Sequence, residues 1–372
     1  MESSFHLLLS AGYSITAFIF ILSTIVFAHE FGHYIVAKCS GVKIEAFSIG
    51  FGHELFGRTD RSGTRWKLCI LPFGGYVKMF GDINPASSPD NKKLALLTEP
   101  EKKLAFHAKP LWIKALIVAA GPLANFIFAI FLLWGFFWSN GKPYTLPIVS
   151  QVVPHSAAQQ AGIQPGDRII SIDQTPVESF SDIQRIVSLN TGVELSLRIA
   201  RDTSQLTLPV TPLMTQQKDA FGNDARLPIL GIQSSDISYQ SLSFMSAGRE
   251  SMTETYHIAS GTLKALGQMI RGQRDMSDLT GPIGIAKYSG QAAHKGWRTV
   301  LWFMVIISVN LGLVNLFPIP ILDGGHLLYY TIEALRGKPM ADRYQEYGLK
   351  FGMLLVAMLL IFAIVNDLTR LF

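Results

Sequence analysis

Charge is what this sequence has least of. Asp, Glu, Lys and Arg make up 16% of its 372 residues, against about a quarter in soluble globular chains. Apolar residues make up 49%, and the mean hydropathy is +0.29. That balance fits a chain bathed in lipid. Cysteine is nearly absent as well, with Cys39 and Cys69 alone. Neither belongs to a Cys-x-x-Cys pair, so a cysteine-built zinc site is not expected. The tail ahead of the first apolar run has no Lys or Arg. A cleavable signal peptide needs a basic start, so that run is expected to stay in the protein. No internal repeat stands out. No nucleic-acid-binding motif accompanies the formal charge of +5, so nucleic acid is not an expected partner.

Four apolar runs are present, near Leu7–Ala37, Leu111–Trp138, Val300–Leu322 and Phe351–Val365. Crossing a bilayer as a helix takes about 20 residues. The first three are long enough, and the fourth is expected to recruit flanking residues or to meet thin membrane. Loop charges set the orientation. Basic residues crowd the stretch from Lys38 to Lys114, and Arg336, Lys338, Arg343 and Lys350 fill the short last loop. The positive-inside rule puts both loops in the cytoplasm and both termini outside. Both cysteines then lie on the cytoplasmic side, where disulfides are rare.

Inside the first run stands His29-Glu30-Phe31-Gly32-His33. Ionisable groups at that depth are costly and are kept mainly for function. On a helix, residues four apart share a face, so His29 and His33 can hold one metal ion. Glu30 follows the first ligand and can act as general base on a water that zinc has acidified. The bland alternative is a chance match on a solvated helix, which apolar surroundings disfavour.

Zinc needs a third protein ligand and an open position. Asp323 is the carboxylate at the edge of the third run, in Asn315-Leu-Phe-Pro-Ile-Pro-Ile-Leu-Asp323-Gly-Gly-His326. Pro318 and Pro320 break regular helix, which lets a carboxylate turn inward from non-helical backbone. His326 competes for the same role, and an interfacial histidine is its equal alternative reading. Taken alone, the stretch reads as a helix-ending turn at the membrane surface.

Together these motifs resemble the site-2 proteases, the zinc intramembrane metalloproteases, and among them the bacterial RseP-type regulators of sigma-factor signalling. Gly121-Pro122-Leu-Ala-Asn125 and a PDZ-like insert strengthen the resemblance, which covers most of the chain in the expected order. It implies zinc held by His29, His33 and Asp323, Glu30 as catalytic carboxylate, and Asn315 touching the substrate backbone. The implied substrate is a single-span membrane protein already shortened outside, such as an anti-sigma factor remnant or a leftover signal peptide, cut in a bacterial inner membrane with the active site toward the cytoplasm. The best-known enterobacterial members carry two tandem PDZ domains, whereas the insert here has room for one. Two other classes compete. An inactive adaptor is disfavoured by the intact motif. A transporter is disfavoured by the small number of spans and the lack of repeats.

The expected architecture is a multi-span α-helical membrane protein with membrane-associated β-structure and an inserted α+β PDZ-like domain. Residues 1–140 would hold two spans and a β-loop region, 141–236 the PDZ-like domain, 237–298 a helical linker, and 299–372 the last two spans. In the first loop, Gly50 and Gly52, then Gly74 and Gly75, sit among β-formers. The plain reading is a surface hairpin. The functional one is a strand edge that pairs with an unwound substrate. From Asn84 to Leu104 the loop turns polar and reads as a surface segment. Asn125 reads first as an asparagine hydrogen-bonding across a helix interface and orienting the first span. Ala161-Gly-Ile-Gln-Pro-Gly-Asp-Arg-Ile looks PDZ-like, with strands over Ile148–Val153, Val193–Ala200 and Gln205–Val210, a helix over Phe180–Leu189, and Gly231 in a carboxylate-binding loop. A steric filter that never grips peptide is the other reading of that domain. Ser241 to Arg274 reads as a helix on the outer leaflet or against the spans, and Gly281-Pro-Ile-Gly-Ile285 as a loop.

Overall fold

A computed structural model describes residues 2–82, 97–190, 192–218, 224–234, 238–273, 276, 279–338 and 340–369. The Asn84–Leu104 expectation therefore lies largely outside the described residues, and Glu99–Lys102 forms a short helix behind a Thr98–Glu101 capping box. The long helices are α1 (Glu2–Cys39), α2 (Leu111–Asn140), α3 (Phe244–Ile270), α4 (Pro282–Lys295), α5 (Trp297–Asn315), α6 (Asp323–Arg336) and α7 (Asp342–Thr369). The chain divides into two compact units. One comprises Met1–Leu132 with Leu279–Phe372, the other Leu133–Asp278.

Among the described residues of the chain, four helices are long and apolar enough to cross a membrane: Gly12–Cys39 of α1, α2, α5, and Arg343–Thr369 of α7. A helix suits such sequence because each backbone polar group is satisfied inside the segment where no water can do it. The fourth apolar run recruits residues at both ends, as its shortness requires. The third stops at Asn315, and Leu316–Leu322 breaks away before α6 begins at Asp323. Small residues let backbones meet. A Cβ on Gly32 of α1 would overlap the Ala120 carbonyl and the Ala124 side chain of α2. Gly312 of α5 rests on Phe126, Asn125 and the Pro122 carbonyl, and Ser308 donates to the Asn125 carbonyl at 2.9 Å. Pro122 sits inside α2 at this junction.

The loop expected ahead of the third span needs correction. Gly281–Ile285 is not a loop: Pro282 opens α4, with Gly281 at its N-cap. Proline at the first helical position loses no hydrogen bond. Glycine has no side chain to cap with, and Asp367 of α7 does it instead, accepting the Gly281 and Gly284 N–H groups at 2.9 Å each. The cap comes from more than 80 residues downstream, beyond the reach of a local reading.

Two long, bent strands follow α1: β1 (Ile44–Thr59) and β2 (Arg65–Met79). Ala46–Ile49 pair with Lys78–Gly75 on one flank and with Arg65–Leu68 on the other. The outer segments are therefore Glu54–Thr59 and Gly75–Met79. Asp60 locks the turn by accepting the Ser62 and Thr64 N–H groups at 2.8 and 3.0 Å and the Trp66 indole at 3.0 Å. These donors, the Ser62 hydroxyl foremost, hold its carboxyl down at about 2.

The second unit is built on a four-stranded sheet ordered Thr175–Pro176, Arg168–Ile172, Leu195–Arg201, Ser204–Val210. Leu195, Leu197 and Ile199 alternate inward with polar neighbours outward, the period-two pattern of a half-buried strand, and join Ile169, Ile172, Ile183 and Val187 in its core. The Phe180–Ser188 helix starts at a Ser179–Asp182 capping box. The strand expected over Ile148–Val153 shrinks to Gln151–Val152, paired with Ile232–Gln233, plus a bridge from Ile148 to Arg168. A further hairpin joins Leu213–Lys218 to Asp224–Ile229. Helix α3 buries Ala247, Gly248, Ser251 and Thr255.

Candidate metal centre

Helix α1 carries His29, Glu30 and His33 on one buried stretch, each 8–9% exposed. Asp323 arrives as the first residue of α6, straight after the non-helical Leu316–Leu322. The following glycines make that approach feasible. A Cβ on Gly324 would overlap the carbonyls of Leu316 and Phe317, and one on Gly325 the carbonyl of Ile319. Two segments nearly 300 residues apart thus deliver three ligand atoms to one point. His29 Nε2 lies 3.2 Å from Asp323 Oδ2, His33 Nε2 lies 3.5 Å from it, and the two Nε2 atoms are 3.3 Å apart. Zinc–ligand distances of about 2.0–2.1 Å in tetrahedral geometry imply ligand–ligand separations of about 3.3–3.4 Å. The triangle fits. Two imidazoles and one carboxylate are also the donor set of known catalytic zinc sites, which keep a position open.

The far nitrogens of both rings are tied. His33 Nδ1 donates to the Ile117 carbonyl of α2 at 2.9 Å, and His29 Nδ1 meets the Asn125 carboxamide at 3.2 Å. The sequence alone presents Asn125 as a packing asparagine able to orient the first span. It does not reach Ile117, because a backbone carbonyl leaves no mark in residue identity. Nor does it give Gly121 a role: a Cβ there would overlap the His33 ring, so glycine is what lets α2 pass.

A cavity of about 220 Å³ adjoins the triangle, lined by Glu30 and the three ligand side chains together with Gly75, Tyr76, Val77, His326 and Tyr330. Gly75 belongs there because a Cβ would come within 2.9 Å of Glu30 Cγ and of Val26. The β2 backbone therefore runs against the catalytic candidate. His326 faces the same cavity but stays outside the group of converging ligand atoms, which is His29, His33 and Asp323. Burial holds its imidazole below the ordinary range. Asn315 closes α5 with its amide nitrogen 3.4 Å from His29 Nε2. Gly50, Gly52 and Gly74 lie in the hairpin at positive φ, where glycine is at ease, and are not among the lining residues. Gly231 belongs to the other unit, where a Cβ would overlap Ser156.

Comparison with known proteins agrees with this chemistry. The model of Peptidase family M50 matches residues 17–359. A Rhizobium meliloti protein with an inferred zinc metalloprotease name is 42% identical over 364 residues, covering 97% of each chain. An Agrobacterium fabrum protein named the same way is 41% identical, covering 96% of each. Metalloprotease MmpA of Caulobacter vibrioides is 34% identical, covering 96% of this chain and 95% of its own. A solved PDZ domain, that of HtrA3 bound to a phage-derived ligand, is 24% identical and covers 20% of this chain and 82% of its own. Its TM-score of 0.18 is too low to define a fold.

Proposed function

This chain belongs to Peptidase family M50, as a zinc metalloendopeptidase of the site-2 protease type, and on that premise we propose that it cleaves the transmembrane segments of single-span membrane proteins already shortened outside the membrane. Anti-sigma factor remnants are the first substrates to expect, with leftover signal peptides second. The observation that carries the reading is the meeting of His29, His33 and Asp323 beside a buried Glu30, in a chain whose helices can cross a bilayer.

His29, His33 and Asp323 would hold zinc. Once bound, the ion lowers the pKa of water and polarises a carbonyl. Glu30 takes the proton from the attacking water and returns it to the departing amine. Asn315, beside His29, would donate to the substrate backbone.

A transmembrane helix hides its peptide bonds, so it must unwind before it can be cut. The Gly75–Met79 edge of β2 runs along the cavity and offers unwound chain a partner for strand addition. Gly50, Gly52 and Gly74 would shape the hairpin that carries this edge. Exposed Leu55, Phe56, Ile70 and Leu71 on the hairpin suit contact with lipid. By the positive-inside rule this hairpin would lie on the cytoplasmic side of a bacterial inner membrane, with both termini outside. The second unit would then be extracytoplasmic, with Gly231 in a PDZ-like loop that meets substrate ends or bars bulky ectodomains.

Glu30→Gln tests the whole reading. Membranes from cells carrying it should accumulate uncut membrane-retained fragments, with turnover down by at least about 10²–10⁴-fold and zinc content unchanged. Continued cleavage at the parental rate would overturn the assignment.

A further inference from the structure

We propose that Asn125 is a positioning residue for the metal: its carboxamide oxygen accepts the Nδ1 proton of His29 and so fixes the ring with Nε2 free to bind zinc. The inference rests on the reading of His29 as a zinc ligand.

An imidazole that binds metal through Nε2 carries its proton on Nδ1, and that proton needs an acceptor. For His33 the acceptor is the Ile117 carbonyl, which can do nothing else. His29 must be served in the same way, and the group at its Nδ1 is Asn125, fully buried at 0% exposure. The amide nitrogen lies on the His29 side, at 3.2 Å. That orientation suits a ring protonated on Nε2, the nitrogen a metal must use. Oδ1 has no hydrogen-bond partner among the described residues that would hold it away. A half-turn of the carboxamide brings Oδ1 to Nδ1, and the two orientations fill the same volume. The asparagine itself is fixed by its backbone: its carbonyl accepts from Ser308, and its Cβ packs on Gly312. Metal loading thus selects one ring tautomer and one amide orientation together.

The charge of the acceptor gives the test. An aspartate in place of Asn125 would be a pure acceptor, able to take the Nδ1 proton but not to donate. A leucine there fills similar space and does neither. The full-length Asn125→Asp, Asn125→Leu and His29→Ala proteins would be purified in detergent. Zinc affinity would be read by competition with a chelating dye, and ligand geometry from the absorption bands of the cobalt(II)-loaded forms. Asn125→Asp should bind zinc within a few-fold of the parent and keep its cobalt bands. Asn125→Leu should bind zinc about 10–100-fold more weakly, with altered bands. If the two variants behave alike, whether both retain or both lose zinc, the proposal fails, because packing alone would then explain the residue. It fails too if Asn125→Leu binds zinc more tightly than Asn125→Asp. Should Asn125→Leu not fold, Asn125→Ala takes its place in the same comparison. His29→Ala separates the two layers of argument. Parental zinc affinity in that variant would remove the ligand assignment itself. Loss of zinc there, with none in Asn125→Leu, would remove only the role given to Asn125.

Discussion

Two aspartates, one in each unit, are held in different ways: Asp167 is buried and Asp323 is partly exposed. Asp167 of the second unit is closed in by Arg201 and Gln164. Arg201 meets both its oxygens at 2.8 Å, and the Gln164 N–H donates at 2.8 Å. Its partner is a permanent cation, so its charge is spent on structure. Asp323 meets two imidazoles, at 3.2 and 3.5 Å. Those rings can be neutral, and neutral rings with proton-free nitrogens turned toward a carboxylate repel it unless a cation joins them. An acid with a dedicated guanidinium stabilises a fold. An acid beside two imidazoles offers the donor set of a catalytic zinc site.

The largest effect follows from removing the second kind. Asp323→Ala leaves two protein ligands where catalytic zinc sites use three. Zinc should be absent after dialysis, and proteolysis should fall more than about 10³-fold. The Asp167–Arg201 pair should be untouched, so protection of the Arg168–Ile172 and Leu195–Arg201 amides from hydrogen exchange should match the parent. Loss of that protection would mean that the two acids are not independent.

Next in size is a change that removes no ligand. Gly121→Ala pushes a methyl group into the His33 ring. Overpacking of this kind costs about 1–3 kcal/mol, so zinc affinity should fall by roughly 5–150-fold while Asp323 stays in place. Parental zinc binding would show that α2 can move aside, and that the site is less rigid than its contacts imply.

Asp167→Asn reverses the pattern. A hydrogen bond to a charged group contributes about 1.5–3 kcal/mol, and the variant should lose about that much stability in the second unit alone. Exchange of the Arg168–Ile172 amides would report it, and zinc affinity should not change.

The same contrast explains what could be read in advance. His29, Glu30 and His33 were legible because helical period alone aligns them. Asp323 was legible because proline and glycine interrupt an apolar run beside a lone carboxylate. What escaped the reading was non-local. The start of α4 was hidden because its cap is Asp367, and Pro282 alone reads as a breaker. The order of segments in the β1–β2 hairpin depends on how each strand bends, which no residue identity announces. Asn125 announced itself as polar among apolar neighbours, yet its partner, His29, lies 96 positions away.

The smallest expected effect is a pH dependence, and it sets the acids apart once more. Burial alone would raise the Asp167 carboxyl, but the Arg201 hydrogen bonds outweigh it and hold the group below its ordinary value, which is about 3.9 in an unfolded chain. Below that value the unfolded state binds more protons than the native state, so stability rises with pH there and is level above it. Protection of the Leu195–Arg201 amides should be flat from pH 7 down to about 5, then decline as pH falls through about 4 and below. In Asp167→Asn that decline should shrink. Zinc should leave earlier on the same titration, because imidazole ligands bind metal only when unprotonated. If the second unit loosened at the pH where zinc is released, a single titration would govern both units, and the division between a structural and a functional aspartate would not hold.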